Sequence, residues 1–233
     1  KLPHEATLSL LTFSVWKCQM KPYVKKQCKE KTVLSAALAL LVGLTIQPSI
    51  AYEGPGDATA ATKSANAKLL QELPFNDKQS FDDAHHGFVA PLSDEIIKTQ
   101  DGRPVWDPKK FGFIKEGSDA PDTVNPSLWR QSQLINISGL FKVTDRIYQV
   151  RNYDLSNMSI VEGDTGIIVI DPLVSAETAK AALDLYYQHR PKKPVVAVIY
   201  SHSHVDHYGG VRGVVDEADV NSGKVKIYAP VGF

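Results

Sequence analysis

Four potential metal ligands stand within six residues of each other, directly after an apolar run typical of a β-strand. The run is residues 194–200 (PVVAVIY), and HSHVDH begins two positions later. Imidazole and carboxylate groups suit zinc and other first-row metals. Alternate residues of an extended segment point the same way, so His202 and His204 can bind one ion together, while Asp206 and His207 face a neighbouring position. The pattern predicts a metal site held rigidly at the end of a strand. The alternative is a histidine-rich loop that binds no metal.

The residues around this motif predict alternating strands and helices. Residues 166–172 (GIIVIDP) are typical of a buried strand that ends in a polar residue. Ser175 is a suitable N-cap for a helix over residues 176–189. After the motif, residues 208–218 predict a second helix and residues 224–229 a further strand. The order of strand, helix, strand, metal loop, helix and strand indicates an α/β fold.

The motif resembles that of the metallo-β-lactamase superfamily, and His202, His204, Asp206 and His207 match that pattern position for position. Further segments are similar to the alkylsulfatase branch, the secreted enzymes that hydrolyse dodecyl sulfate. These segments are LWRQSQL at 128–134, GLFKV at 139–143, DLSN at 154–157 and SHSHVDHYGG at 201–210. The similarity runs from about Phe81 to the last residue.

The resemblance implies a four-layer αββα sandwich with a mixed α/β (α+β) composition and two zinc ions in the complete site. Members of the branch take further metal ligands, two acidic residues and a later His, from segments well downstream. This sequence stops at Phe233, and its other histidines (His4, His85, His86 and His189) are not expected to be ligands. We therefore expect an amino-terminal fragment that holds the first half of the sandwich. Expressed alone, such a fragment is expected to be unstable and inactive.

Further residues border the predicted site. In the superfamily, an Asp at the position of Asp171 orients a metal-bound His, because the free N–H of the imidazole needs an acceptor. The alternative role for Asp171 is in the turn that enters the helix. Asn157 either reaches the mouth of the pocket or caps a turn. Gly209 and Gly210 would let the backbone turn tightly beneath the ions, where a Cβ would crowd them.

The resemblance implies metal-dependent hydrolysis of alkyl sulfate esters, with zinc-bound hydroxide as the nucleophile and Asp206 both as a ligand and as the carboxylate that orients the attacking water. Two alternatives stay open on the motif alone. One is another hydrolase of the superfamily, acting on a thioester, a lactone or a β-lactam. The other is a metal-binding fragment without catalysis.

The basic opening of the chain is typical of a targeting sequence. From Met20, five lysines precede fifteen uncharged residues (32–46), and Ser49 and Ala51 suit a cleavage site. This pattern predicts a signal peptide over residues 20–51, so the mature protein is expected in the periplasm or outside the cell. Residues 1–19 would then be upstream translated sequence. These fifteen uncharged residues fall short of the roughly twenty apolar residues that span a membrane, so no stable span is expected after cleavage. The alternative is a retained membrane anchor.

Two segments are predicted beyond the leader. Residues 52–125 would form a flexible linker (52–66) and an irregular extension, and residues 126–233 the catalytic domain. The first 51 residues hold seven Lys and two Glu, and since the whole chain has a net charge of zero, the remainder is mildly acidic. This balance gives no argument for nucleic-acid binding, and no nucleic-acid partner is expected. The expected partner is an anionic alkyl ester substrate, and a homodimer of the complete protein stays open.

Overall fold

A seven-stranded sheet organises residues 56–233, the part of the chain that the computed structural model describes. The predicted upstream segment (1–19), the signal peptide (20–51) and its cleavage site lie outside the described residues. The strands are β1 (Phe88–Ala90), β2 (Ile97–Lys98), β3 (Pro104–Trp106), β4 (Gly139–Thr144), β5 (Ile147–Arg151), β6 (Met158–Glu162), β7 (Ile167–Ile170), β8 (Val195–Ile199) and β9 (Lys226–Tyr228). Their order in the main sheet is β1-β4-β5-β6-β7-β8-β9, and β2 and β3 form a separate hairpin.

The main sheet changes character at β7. Neighbouring strands pair antiparallel from β1 through β4, β5 and β6 to β7, whereas β7, β8 and β9 pair parallel. Parallel neighbours need a crossover connection, and a helix supplies it between β7 and β8. The helices are α1 (Ala60–Glu72), α2 (Gln79–His85), α3 (Pro126–Ile135), α4 (Ala176–His189) and α5 (Glu217–Asn221). The predicted α/β architecture is confirmed, and so is the predicted helix at 176–189.

The core lies between α4 and one face of the sheet. Tyr148, Ile160, Val169 and Val198 form one cross-strand row, and each is buried. From α4, Ala179, Ala182, Leu183 and Tyr186 are buried in the same apolar cluster. The side chains on the other face alternate with these and are partly exposed in β6, β7 and at the ends of β8. Packing on the sheet therefore fixes the position of α4, the helix that connects β7 to β8 and to the metal motif after it.

The start of α4 confirms the predicted cap. The Ser175 hydroxyl accepts the N–H of Thr178, and the Thr178 hydroxyl accepts the N–H of Ser175, which completes a capping box. This arrangement satisfies two of the backbone donors that the first turn of a helix leaves without an intrahelical partner.

The flexible linker predicted at residues 52–66 is wrong for its described end, because residues 60–66 lie in α1. Thr59 caps this helix by accepting the N–H of Thr62. The side-chain amide of Asn66 donates to the carbonyls of Asp122 and Val124, at 3.0 and 3.2 Å. These contacts attach α1 to the segment before α3, so an Ala-rich stretch that lacks an apolar face is ordered by its polar contacts.

The single helix predicted over residues 208–218 is also wrong. The chain instead forms two 3₁₀ turns, Val205–His207 and Val211–Gly213, and then the short helix α5. Asp216 is extended, which separates the second turn from α5. Glycines at 209, 210 and 213 weaken any continuous helix, since glycine loses more conformational freedom than other residues on ordering.

The segment before α3, predicted as irregular, contributes directly to the fold. Strand β1 pairs with β4, and Ala90 and Phe81 are buried. The guanidinium of Arg151 lies 4.1 Å from the centre of the Phe141 ring and donates to the carbonyl of Ala84 at 3.0 Å. Within residues 56–233, no helix is both long and apolar enough to cross a membrane.

Candidate metal centre

The carboxyl ends of β7 and β8 place the predicted site residues side by side. These strands are parallel, so Asp171, which follows β7, and Ser201, two residues beyond β8, reach the same edge of the sheet. The N–H of Asp171 donates to the carbonyl of Ile199 at 3.0 Å, which extends the pairing to the rim of the site. Open α/β sheets bind ligands at this edge.

Asp171 contacts two residues of the metal motif. Its Oδ1 accepts the N–H of Ser201 at 2.8 Å, and its Oδ2 accepts the Ser201 hydroxyl at 2.6 Å. Oδ2 also lies 2.9 Å from Nδ1 of His207. The backbone of Asp171 adopts a φ of +55°, an uncommon conformation that Asp tolerates better than most residues. Asp171 thus contacts His207 directly, and its support of a metal-bound histidine stays a prediction. Its carbonyl also accepts the N–H of Leu173 in the turn into α4, at 2.9 Å.

His202 and His204 form the first pair of donors. The Ser201 hydroxyl lies 2.9 Å from Nδ1 of His202. Because this hydroxyl donates its own hydrogen to Asp171, it accepts a hydrogen bond from the Nδ1–H of His202. This leaves Nε2 of His202 with a free lone pair, 3.1 Å from Nδ1 of His204. Two nitrogens bound to one tetrahedral zinc at about 2.0–2.1 Å lie roughly 3.3 Å apart, so the observed spacing fits a shared ion.

Asp206 and His207 form the second pair. With Nδ1 of His207 directed at Asp171, Nε2 faces Oδ2 of Asp206 at 3.2 Å. The lone pair of Nε2 and the carboxylate oxygen repel each other unless a proton or a cation lies between them. A bound metal ion would remove this repulsion. The rings of His202 and His207 are 4.0 Å apart, so the two pairs are neighbours.

The residues present therefore fit zinc as two adjacent pairs of donors. In residues 56–233, no group of three or more His, Cys, Asp or Glu side chains is arranged to hold one metal ion. A catalytic zinc takes three protein ligands and keeps one open position, so each pair supplies part of a set. His202 and His204 are exposed, which leaves the open side of the site facing solvent.

Gly209 and Gly210 are needed for close approach rather than for a special backbone angle. Neither has a positive φ. A Cβ on Gly210 would lie 2.5 Å from the carbonyl oxygen of Ser175 and 2.8 Å from Cβ of Ala179, and closer still to the carbonyl oxygen of Pro172. The N–H of Gly210 donates to the carbonyl of Leu173 at 2.9 Å. The segment after the metal motif is thus packed directly onto the start of α4.

Comparison with known proteins agrees with this geometry. The sequence model of the metallo-beta-lactamase superfamily matches residues 151–233, which include every site residue described above. These residues belong to the metallo-beta-lactamase superfamily. The predicted resemblance is confirmed.

The metallo-beta-lactamase segment and the residues before it are similar to alkylsulfatases. A linear primary-alkylsulfatase from Pseudomonas sp. is 76% identical over 185 residues, which are 79% of this chain and 27% of that protein. An (R)-specific secondary-alkylsulfatase from Pseudomonas sp. is 55% identical over 199 residues, 84% of this chain and 30% of that protein. The solved structure of a stereoselective inverting sec-alkylsulfatase from Pseudomonas sp. superposes with a TM-score of 0.72 at 56% identity, over 77% of this chain and 28% of that one. The chain thus spans less than a third of the length of these relatives.

Sequence reasoning gave no role to three polar residues of this metallo-beta-lactamase segment. Asp154 and Ser156 are buried in the loop between β5 and β6, and Thr178 is buried in α4. Asp154 accepts hydrogen bonds from Ser156 and Thr178, and Ser156 donates to the backbone carbonyl of Asp206. The only signal was that Asp154 and Ser156 fall within a segment shared with the alkylsulfatase branch. Asn157 is exposed in the same loop, and its predicted place at the pocket mouth stays a prediction.

The histidines not expected to be ligands include two in described helices. His85, in α2, lies 2.7 Å from Glu116 through Nε2. His189 is exposed in the last turn of α4. Both lie on elements that do not form the edge of the sheet where the metal motif begins.

Proposed function

We propose that the complete protein is a metal-dependent hydrolase of alkyl sulfate esters. The observation that carries the proposal is the pairing of donors at the end of β8 in a chain that is 76% identical to a linear primary-alkylsulfatase. An anionic ester suits a site built for two cations, because paired charges bind the sulfate group and offset charge that develops during cleavage.

The described residues would hold the metal in a defined way. His202 and His204 offer Nε2 and Nδ1 to one ion, and Asp206 and His207 offer Oδ2 and Nε2 to a second. Zinc, when bound, supplies hydroxide at neutral pH, because it lowers the pKa of a coordinated water toward about 7. Asp171 fixes His207 through Nδ1 and fixes His202 through the Ser201 hydroxyl. Asp206 also has the carboxylate that can orient the attacking water.

The test is turnover of dodecyl sulfate by the protein expressed from its complete gene. We expect sulfate release by the zinc-loaded protein, loss of release after chelation, and recovery when zinc returns. His202→Ala should lose at least about a hundredfold in kcat/KM, since it removes one ligand of the first pair. His189→Ala is the matched control, because it removes an exposed histidine from the far end of α4, and it should retain the wild-type rate.

Failure to release sulfate from dodecyl sulfate, with two metal ions bound, would overturn the proposal. Hydrolysis of a thioester, lactone or β-lactam by the same preparation would then assign the protein to another activity of the superfamily. Metal binding without any turnover would assign it a binding role.

A further inference from the structure

The loop between β5 and β6 presents its residues alternately to the interior and to solvent. Asp154 and Ser156 are 7% and 8% exposed, whereas Leu155 between them is 79% exposed. Burying a carboxylate is costly unless it is hydrogen-bonded. Burial raises the pKa of Asp154, and the hydrogen bonds that it accepts oppose this shift. A buried acid at this position therefore requires specific partners.

Asp154 has three such partners, and they come from two parts of the fold. Its Oδ1 accepts the N–H of Ser156 at 3.2 Å. Its Oδ2 accepts the N–H of Val174 at 2.9 Å and the hydroxyl of Thr178 at 2.6 Å. One carboxylate thus joins the β5–β6 loop to the turn that enters α4 and to its first turn.

Ser156 carries this connection into the metal motif. Its backbone N–H is held by Asp154, and its hydroxyl donates to the backbone carbonyl of Asp206. Residues 205–207 form a single 3₁₀ turn, and the partner that holds the carbonyl of Asp206 lies fifty residues earlier in the sequence. A turn this short has few internal hydrogen bonds of its own, so an external bond to the carbonyl restricts the backbone at Asp206.

The geometry points to Ser156, held by Asp154, as a positioning residue that sets the backbone of Asp206 for metal binding. This inference rests on the proposed function, because it assumes that Asp206 is a ligand. The hydrogen bonds of Asp154 and Ser156 go to the Asp206 carbonyl, Val174, Thr178 and each other, and not to the side chains of the four predicted ligands. Both act through the main chain of the ligand, as outer-shell groups do in metal sites, where their loss typically weakens metal affinity about 10- to 100-fold.

The test compares Ser156→Ala with Ser132→Ala in the complete protein. Ser132 donates its hydroxyl to the carbonyl of Leu128 at 2.8 Å on α3. Each variant therefore loses one hydroxyl-to-carbonyl hydrogen bond, and only Ser156 is connected to the metal motif. The readouts are the affinity for Co²⁺, followed by its visible absorption spectrum, the melting temperature of the metal-free protein, and kcat and KM for dodecyl sulfate.

For Ser156→Ala we expect Co²⁺ affinity to fall about tenfold, with an altered spectrum and a lower kcat. For Ser132→Ala we expect wild-type affinity and spectrum. Thr178→Val, which removes one partner of Asp154, should weaken Co²⁺ binding in the same direction.

Wild-type affinity and spectrum in Ser156→Ala would overturn the inference. Should Ser156→Ala fail to fold, wild-type affinity in Thr178→Val would overturn it instead. If the wild-type protein binds Co²⁺ but hydrolyses no sulfate ester, the proposed function fails while the comparison of affinities still decides the inference.

Discussion

At Gly210, the requirement for glycine comes from what surrounds the residue. Its φ of −85° is open to any amino acid. The backbone of residues 172–175 and Cβ of Ala179 occupy the space that a side chain would need. The sequence predicted a tight turn at this glycine beneath the ions, where a Cβ would crowd them. In the structure, a Cβ at Gly210 would instead meet the backbone that leads into α4 and Ala179 of that helix.

We expect Gly210→Ala to destabilise the protein by about 1–3 kcal/mol, because an added methyl group must displace packed backbone. The same displacement moves the adjoining residues 205–209, so zinc content should also fall. Thermal melting and metal analysis of the purified protein measure both effects. Gly56→Ala is the control, since a Cβ there meets nothing within 4 Å. Equal melting temperatures for the two variants would contradict this account.

Residue types and spacing were sufficient to find the metal motif, because four ligands within one short segment form a local signal. The same information could not find Ser156. Its contact with Asp206 joins a side chain to a backbone carbonyl, and a carbonyl is present at every position. Only the folded chain shows which of them a given serine reaches.

Among the elements, α4 was predictable to the residue and the segment after the metal motif was not. A capping serine and an apolar face define α4 from within its own sequence. The segment 205–221 is shaped instead by its packing on the start of α4, where Gly213, like Gly210, has no room for a side chain. Tertiary contacts therefore determine the secondary structure of this segment, and a prediction from local helix propensity was wrong there.

The far end of α4 is tied to β6 by one ion pair. Arg190 donates to both carboxylate oxygens of Glu162, at 2.7 and 2.9 Å, and the hydroxyl of Tyr186 donates to Oε1 at 2.6 Å. The Glu162 side chain is only 10% exposed. The hydrogen bonds from Arg190 hold the pKa of Glu162 below its ordinary value of 4.5.

We expect Glu162→Gln to lower the free energy of unfolding at neutral pH by about 1.5–3 kcal/mol, the range for hydrogen bonds to charged groups. Because the pKa of Glu162 is lower in the folded protein, its stabilisation is present above pH 4.5 and is lost as the pH falls through the folded-state pKa. The difference between wild type and variant should therefore shrink in acid. Urea unfolding at pH 7 and below pH 4.5 measures it.

Asp184→Asn provides the matched control for this pair. Asp184 pairs with Lys180 on the exposed side of α4, and such surface pairs contribute about 0–1 kcal/mol. A Glu162 variant that is no less stable than this control at pH 7 would show that the Arg190 contact does not hold the helix to the sheet.

At the scale of the whole molecule, residues well before the metal motif complete the sheet that supports it. Strand β1 lies about fifty residues from its partner β4 in sequence. Continuous apolar runs predicted β7 and β8, and the strand predicted at residues 224–229 contains β9, whereas β1 and the antiparallel strands β4 to β6 were not predicted. Phe81 and Ala90 of this extension are buried in the fold.

The basic and apolar opening of the chain leads to a further prediction. We propose that the protein is exported and that its mature form begins near Tyr52, after cleavage at Ala51. Amino-terminal sequencing of the protein from the periplasmic or secreted fraction provides the measurement. Recovery of a chain in that fraction that still begins at Met20 would contradict the proposal.

The change from antiparallel to parallel pairing at β7 has a consequence for the order of folding. Strands β4 to β7 are consecutive antiparallel neighbours, so short loop closures can form that half of the sheet early. Strand β8 joins only after α4 has crossed over the sheet, and the metal motif follows β8. We expect the motif to be assembled after strands β4 to β7 have paired. Metal binding at His202 to His207 would then follow the formation of the sheet that supports these residues.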